Sequence, residues 1–282
     1  MEYTVYSTLI NTTFLDLQLK SFDKFLTMPS KEGGEKNVVN FVVINNGRND
    51  NEANHIFSYC NERGIECIRP THNKFDRVGT SHQESLNWIF RNIVPNKNST
   101  CDIIVDFDIF PITKPSVVTR KLDYYMCGLK QGSEEITYLW PGLIVFNGPI
   151  FRMYGLYKSV DFRGAMIHAE TNDFFICDEE HGFTWDEYWR KFNAGYKPFD
   201  SGAMLHFLIK DSHLEPDEYS LNLDVGNKIP KSIQHLHDPA FKFWIIDNAW
   251  LHFGRGSNWD SSDQSYFTRK VAFLNYWMNE VL

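Results

Sequence analysis

Residues 102–111 read DIIVDFDIFP, a short apolar strand that runs out into two acids one residue apart. Asp106 and Asp108 flank Phe107 where the Ile and Val run ends. Side chains two apart in a strand face the same side, so the carboxylates repel unless a cation lies between them. Oxygen ligands of this kind suit Mn²⁺ or Mg²⁺, which keep open positions for substrate phosphates. The plain alternative is a strand-end turn with two solvated acids.

Upstream, the chain alternates regularly. Tyr3–Ile10 is rich in β-formers, and Asn11, Thr12 and Thr13 offer N-caps for a helix to about Thr27. Lys31–Lys36 reads as a polar loop. Val38–Ile44 (VVNFVVI) has the near-continuous apolar pattern of a strand buried on both faces. A helix over Asn51–Glu62 stops before Gly64, and Ile65–Ile68 is a third strand. Ser81–Ile93 places Leu86, Ile89, Phe90 and Ile93 on one helical face, and Asp102–Asp106 follows as the fourth strand. A βαβαβαβ series predicts an α/β fold with right-handed crossovers, a mostly parallel sheet and helices on both faces. Its ligands bind beyond the strands' carboxyl ends, where Asp106 and Asp108 stand.

After Pro115 the pattern breaks. Tyr138–Asn147 reads as a strand interrupted by Pro141 and Gly142, Asp173–Asn193 is rich in aromatics and acids, and Ala203–Ile209 begins a short helix. Phe243–Ile246 and Trp250–Phe253 read as late strands. The expectation is one α/β domain, with residues 1–111 binding a nucleotide and residues 112–282 an acceptor.

Composition narrows the function. The 282 residues carry 28 Lys+Arg against 36 Asp+Glu, a net charge of −8, and no basic run exceeds a dipeptide, which argues against a nucleic-acid partner. Nothing reads as a secretory signal or a membrane span, and five cysteines without a CxxC pair suggest reduced thiols in the cytoplasm. Aromatics are abundant (23 Phe, 13 Tyr, 8 Trp), with seven of the eight Trp at or after position 140. Trp140, Trp185, Tyr188, Trp189, Trp250 and Trp259 could stack on sugar rings, though aromatics at regular spacing are often core.

Several motifs, taken in order, resemble the nucleotide-sugar glycosyltransferases of the GT-A fold. YSTLIN (Tyr6–Asn11) is similar to the family-2 first strand and its exit. INNGRND (Ile44–Asp50) resembles that family's Asp-Asp-Gly-Ser-x-x-Asp, and GTSHQESLNWIF (Gly79–Phe90) its Gly-x-x-x-Ala-x-Asn helix before the DxD strand. The resemblance implies a UDP-sugar donor site comprising Thr8, Asn11, Asn45, Asn46, Arg77, Asp106, Phe107 and Asp108. Asn45 and Asn46 stand where the family has acids against the uracil; an amide can pair with that edge, or the two can form a plain turn. Arg77 is placed to reach the diphosphate or ribose, or is simply a surface Arg.

WLHFGRGSNW (Trp250–Trp259) resembles the signature His-Phe-x-Gly-x-x-Lys-Pro-Trp of glycogenin-like and galactosyltransferase-like enzymes. It implies His252 as third metal ligand beside Asp106 and Asp108, and Arg255, Gly256 and Ser257 against the diphosphate. Ser257-Asn258 replaces Lys-Pro, so the phosphate-binding Lys is missing. In KPFDSGAMLHFL, Asp200 lies where inverting members place the general base, and it could equally be an N-cap. The run Asp178, Glu179 and Glu180 reads rather as a solvated face.

Together these readings predict a metal-dependent transferase that moves a sugar from a UDP-sugar to a glycan hydroxyl with inversion. In size and anchor-free look the chain is similar to glycosyltransferases of large algal DNA viruses, which implies xylose or another small sugar as donor. A nucleotidyltransferase would also use strand-end acids, but would carry a basic Gly-rich loop after the first strand, which YSTLINTTF lacks. A carbohydrate-binding protein would account for the aromatics but not for the paired acids.

Overall fold

The computed structural model describes residues 1–29, 33–70, 78–119, 124–133, 136–168, 170–171, 173–177, 184–213, 215–254 and 264–282. In chain order the strands are β1 (Glu2–Leu9), β2 (Val38–Asn45), β3 (Glu66–Ile68), β4 (Cys101–Asp106), β5 (Ile109–Pro111), β6 (Met126–Gly132) and β7 (Thr137–Asn147). They continue with β8 (Ala165–His168), β9 (Phe174–Ile176), β10 (Tyr196–Phe199), β11 (Asp217–Glu218), β12 (Leu221–Asn222), β13 (Trp244–Ile246) and β14 (Trp250–His252). The helices are α1 (Leu15–Leu26), α2 (Asp50–Glu62), α3 (Val78–Asn92), α4 (Ser116–Thr119), α5 (Gly148–Tyr154), α6 (Trp185–Asn193), α7 (Leu205–Ser212) and α8 (Gln264–Val281).

The fold is α/β, around a seven-stranded sheet ordered β11-β6-β7-β4-β1-β2-β3. β1 is its axis, parallel to β2 on one side and to β4 on the other. The period of two along each strand sorts the core into layers. Tyr6, Val42 and Ile104 face α3 with Leu86, Ile89 and Phe90, whereas Val5, Ile103 and Val105 pack with Phe22 and Leu26 of α1.

Three readings are corrected. α1 begins at Leu15 with no side-chain cap, because Asn11 instead accepts from Thr13 N in a local turn. β2 is buried only from Val42 onward; Val38 is 57% exposed at the sheet's edge. β7 survives Pro141 and Gly142 because its pairing with β6 shifts register there, so neither residue has to serve the ladder.

The chain after β4 turns out of the main sheet. Phe107 and Asp108 form the turn, and β5 joins a second sheet ordered β12-β13-β14-β5. A third sheet, β10-β8-β9, ends at Asp200. α8, which the sequence reading does not name, buries Phe273, Leu274, Trp277 and Met278 against Phe14, Phe243 and Phe253. All five cysteines are free. Among the described residues no helix is long and apolar enough to cross a membrane.

Candidate active site

The Asp106–Asp108 turn is clamped from beneath. Gln18 of α1, fully buried, donates Nε2 to Asp106 O (2.8 Å) and Ile109 O (3.0 Å) and accepts from Ser7 Oγ (2.8 Å). One amide thereby ties the end of β4 to the start of β5 and to β1. Thr8 sits opposite Asp106 across the β1–β4 ladder; its buried Oγ1 has no hydrogen-bond partner among the described residues.

Two sheets then bring the acids and the imidazole together. β14 runs antiparallel to β5 with His252 opposite Ile109, and Phe253 N donates to Asp108 O (2.9 Å). This register sets His252 Nε2 3.4 Å from Asp108 Oδ1, with both side chains buried. The imidazole packs on two indoles, Trp140 at 5.0 Å and Trp244 at 4.8 Å between ring centroids, and among the described residues its Nδ1 has no hydrogen-bond partner. Behind it, buried Lys270 of α8 donates Nζ to Phe253 O and to Gly254 O (2.9 Å). That ties the chain leaving β14 to the C-terminal helix.

On the other side of the turn, His82 Nε2 of α3 stands 3.7 Å from Asp106 Oδ1. Burial holds the Asp106 carboxyl above the usual carboxylate range; His82 and His252 pull it down, and Asp108 and Asp200 push it up. His82 escaped the sequence reading, although it lies within the quoted Gly79–Phe90 stretch, because nothing local distinguishes it from a solvated helical His.

α3 also positions Asp200. Gln83 accepts from Gly164 N (2.8 Å) and donates to Cys177 O (3.1 Å), and Asn87 accepts from Phe162 N (2.8 Å). Phe162 O in turn takes Gly202 N–H (2.7 Å). Gly202 adopts φ +93°, with Leu139 O and Pro141 Cδ each 3.0 Å from where a Cβ would stand, so a side chain there would be strained and crowded. Asp200 is exposed and accepts from Ser201 N (2.7 Å). It is not an N-cap: α7 starts only at Leu205, and Met204 occupies its cap position.

The remaining expected residues separate. Asn45 spends its amide inside the β2–α2 turn, donating to Ala53 O (2.7 Å) and accepting from Gly47 N (3.2 Å). Asn46 Oδ1 accepts from Ser85 Oγ (3.0 Å). Both are buried, which matches the plain-turn alternative. The Phe107 ring packs on Phe14 in the core, so only its backbone is available to a ligand. Trp250 is fully buried core, whereas Trp189 is 55% exposed. Arg77, Arg255, Gly256, Ser257, Trp259 and the run 178–180 lie outside the described residues.

A divalent ion fits the donor types. Asp108 Oδ1 and His252 Nε2 are separated by about the 3 Å expected of neighbouring ligands around a small octahedral ion. Among the described residues no three such side chains already converge on one ion position. Asp106, on the same turn, has its Oδ1 toward His82.

No protein-family model matches this chain, and no curated protein matches it in sequence. Several solved structures do resemble it. They are glycosyltransferases. The galactosyltransferase LgtC, in complex with donor and acceptor sugar analogues, is 11% identical with a TM-score of 0.41, over 77% of this chain and 73% of that one. GlyE of Streptococcus pneumoniae is 10% identical with a TM-score of 0.41, over 99% of this chain and 63% of that one. Mouse xyloside xylosyltransferase 1 is 11% identical with a TM-score of 0.34, over 57% of this chain and 72% of that one.

Proposed function

We propose that this protein is a metal-dependent glycosyltransferase that moves a sugar from a UDP-sugar to a glycan hydroxyl with inversion. One observation carries the reading: Asp108 and His252 meet 3.4 Å apart beyond the carboxyl ends of parallel strands, with Asp106 and Asp200 close enough to repel each other. Carboxylates crowded in this way are stabilised by a cation and by a ligand that the cation bridges.

Asp106, Asp108 and His252 would hold Mn²⁺ or Mg²⁺. The ion supplies neutralisation of the charge that develops on the departing diphosphate. Gln18 keeps the turn in register, and the Trp140 and Trp244 indoles hold the imidazole and shield it from water. Asp200, exposed at the end of β10, takes the proton from the acceptor hydroxyl as its oxygen bonds to the anomeric carbon and the bond to the diphosphate breaks, a role worth about 10²–10⁴-fold. The half-buried Trp140 and the exposed aromatic face of α6 provide stacking surfaces for the acceptor. A small sugar such as xylose is the donor group we favour.

The test is direct. Mn²⁺ with UDP should raise the melting temperature, and a panel of UDP-sugars should show one that is hydrolysed or transferred. NMR of the product should show an inverted anomeric centre, and Asp200→Asn should lower kcat far more than it changes KM. If no nucleoside diphosphate shifts the melting temperature, the transferase reading falls; a retained anomeric configuration removes Asp200 from its role.

A further inference from the structure

The third sheet has two faces, and α6 lies on the one that leads to Asp200. Opposite residues of an antiparallel ladder share a face, and along each strand the faces alternate. Tyr196 pairs with His168, and Pro198 pairs with Met166, which pairs in turn with Phe175, so these five side chains share one face. α6 sits there: its Lys191 Nζ stands over the rings of Tyr196 (4.5 Å) and Phe175 (5.2 Å). Continuing the period from Tyr196 and Pro198 brings Asp200 to the same face.

α6 turns aromatic rings outward. Trp189 is 55% and Phe192 48% exposed, whereas Glu187, Tyr188 and Lys191 are half-buried. Tyr188 and Phe192 stack within 6° of parallel at 6.4 Å between centroids, and Trp189 stands edge-on to them at 5.2 and 5.8 Å. The three rings make one platform, on the side that an amphipathic helix ordinarily buries. The charges beside it cancel. α6 carries Asp186 and Glu187 against Arg190 and Lys191, and Arg190 closes on Glu187 at 2.6 Å. With no net charge on the helix and −8 on the chain, nothing there draws an anionic lipid surface. A neutral sugar chain fits, because its C–H faces lie on the rings and its hydroxyls meet the flanking polar groups.

Distance sets the length of that chain. Gly195 N donates to Phe192 O (3.1 Å), so Phe192 closes the turn into Tyr196, which stands ~13 Å of strand before Asp200. One sugar ring with its linking oxygen advances on the order of 5 Å, given bonds of about 1.5 Å. We propose that Trp189 and Phe192 form a distal acceptor subsite, so that the acceptor is a neutral oligosaccharide of about three sugars or more. Its reacting hydroxyl lies at Asp200 and its inner sugars stack on the platform. The inference rests on the transferase reading for the role of Asp200, and it names the acceptor class that this reading leaves open.

An array of neutral glycans of one to six sugars, in several linkage series, probed with the full-length protein in Mn²⁺ and UDP, tests the proposal. At least one series should bind, with affinity rising about tenfold or more from disaccharide to tetrasaccharide. The double variant Trp189→Ala/Phe192→Ala should lose that rise. Because both rings are exposed, it should keep the wild-type melting temperature and the shift that Mn²⁺ and UDP produce. A wild type that lacks this shift, yet binds longer glycans through the two rings, overturns the transferase reading and keeps the platform as a glycan site. With or without the shift, a tetrasaccharide bound no more tightly than a disaccharide, or a length dependence unchanged in the double variant, overturns the subsite.

Discussion

His252 Nε2 stands 3.4 Å from Asp108 Oδ1, although 144 positions separate the two residues in the chain. The β5–β14 ladder joins them and sets the imidazole against the carboxylate. Asp108→Asn keeps the shape and removes the charge. Without metal its melting temperature should not fall, because one of several mutually repelling carboxylates has gone. With Mn²⁺ and UDP the stabilisation seen in the wild type should be absent, and transfer should drop at least ~100-fold. His252→Ala should show the same loss of metal response by differential scanning fluorimetry.

Gln18 holds the turn through backbone carbonyls rather than through the acids themselves. Gln18→Leu would leave Asp106 O and Ile109 O buried without their donor, at a cost of about 1–3 kcal/mol for each. Chemical denaturation should register that loss, and Mn²⁺ affinity should fall with it, since the two carboxylates then lose their fixed spacing. Unchanged metal affinity in a destabilised variant would mean that Gln18 serves the fold alone.

Gly142 makes room for an indole. A methyl added there would overlap the six-membered ring of Trp140, which also packs on Trp244 and His252. Gly142→Ala should cost about 1–3 kcal/mol from overpacking. By displacing the ring that supports His252 it should also lower metal affinity about 10–100-fold. Equilibrium Mn²⁺ titration at a temperature where the variant is fully folded separates the two effects.

Asp102 governs a pH dependence far from the acids of the site. Burial pushes its carboxyl up to about 6, against the opposing pull of Ser99, Tyr157 and Arg152. A carboxyl that binds its proton more tightly when folded favours the folded state below its unfolded value near 3.9, and that contribution is lost as pH rises through about 6. Relative to Asp102→Asn, the wild type should therefore lose up to about 3 kcal/mol of stability between pH 4 and pH 7. Denaturation midpoints of both proteins at the two pH values measure it, and parallel curves would refute it.

Much of the first half was legible because its signals are local. Hydrophobic periodicity located β1, α2, β3, α3 and β4 to within a few residues, since it reports which side of each element is buried. The same logic was available for α8, whose Lys270, Phe273, Leu274, Trp277 and Met278 recur at helical spacing, but the sequence reading names no element beyond Trp259. Asn45 and Asn46 leave two alternatives open for the opposite reason. A polar pair in a strand-exit turn looks like a ligand edge, yet here a buried turn uses those amides to satisfy its own backbone and Ser85.

The sequence by itself determined the α/β class, the order of the parallel strands' elements along the chain and the placement of Asp106 and Asp108 at a strand's end, all consequences of short-range pattern and the two-residue period of β-structure. Only the tertiary structure decided what surrounds them. His82 reaches Asp106 from α3, Gln18 reaches beneath the turn from α1, and Trp140 and Trp244 close on His252 from two different sheets. Each of those contacts depends on sheet order and ladder register, which set distances between residues far apart in the chain and leave no periodic trace within it.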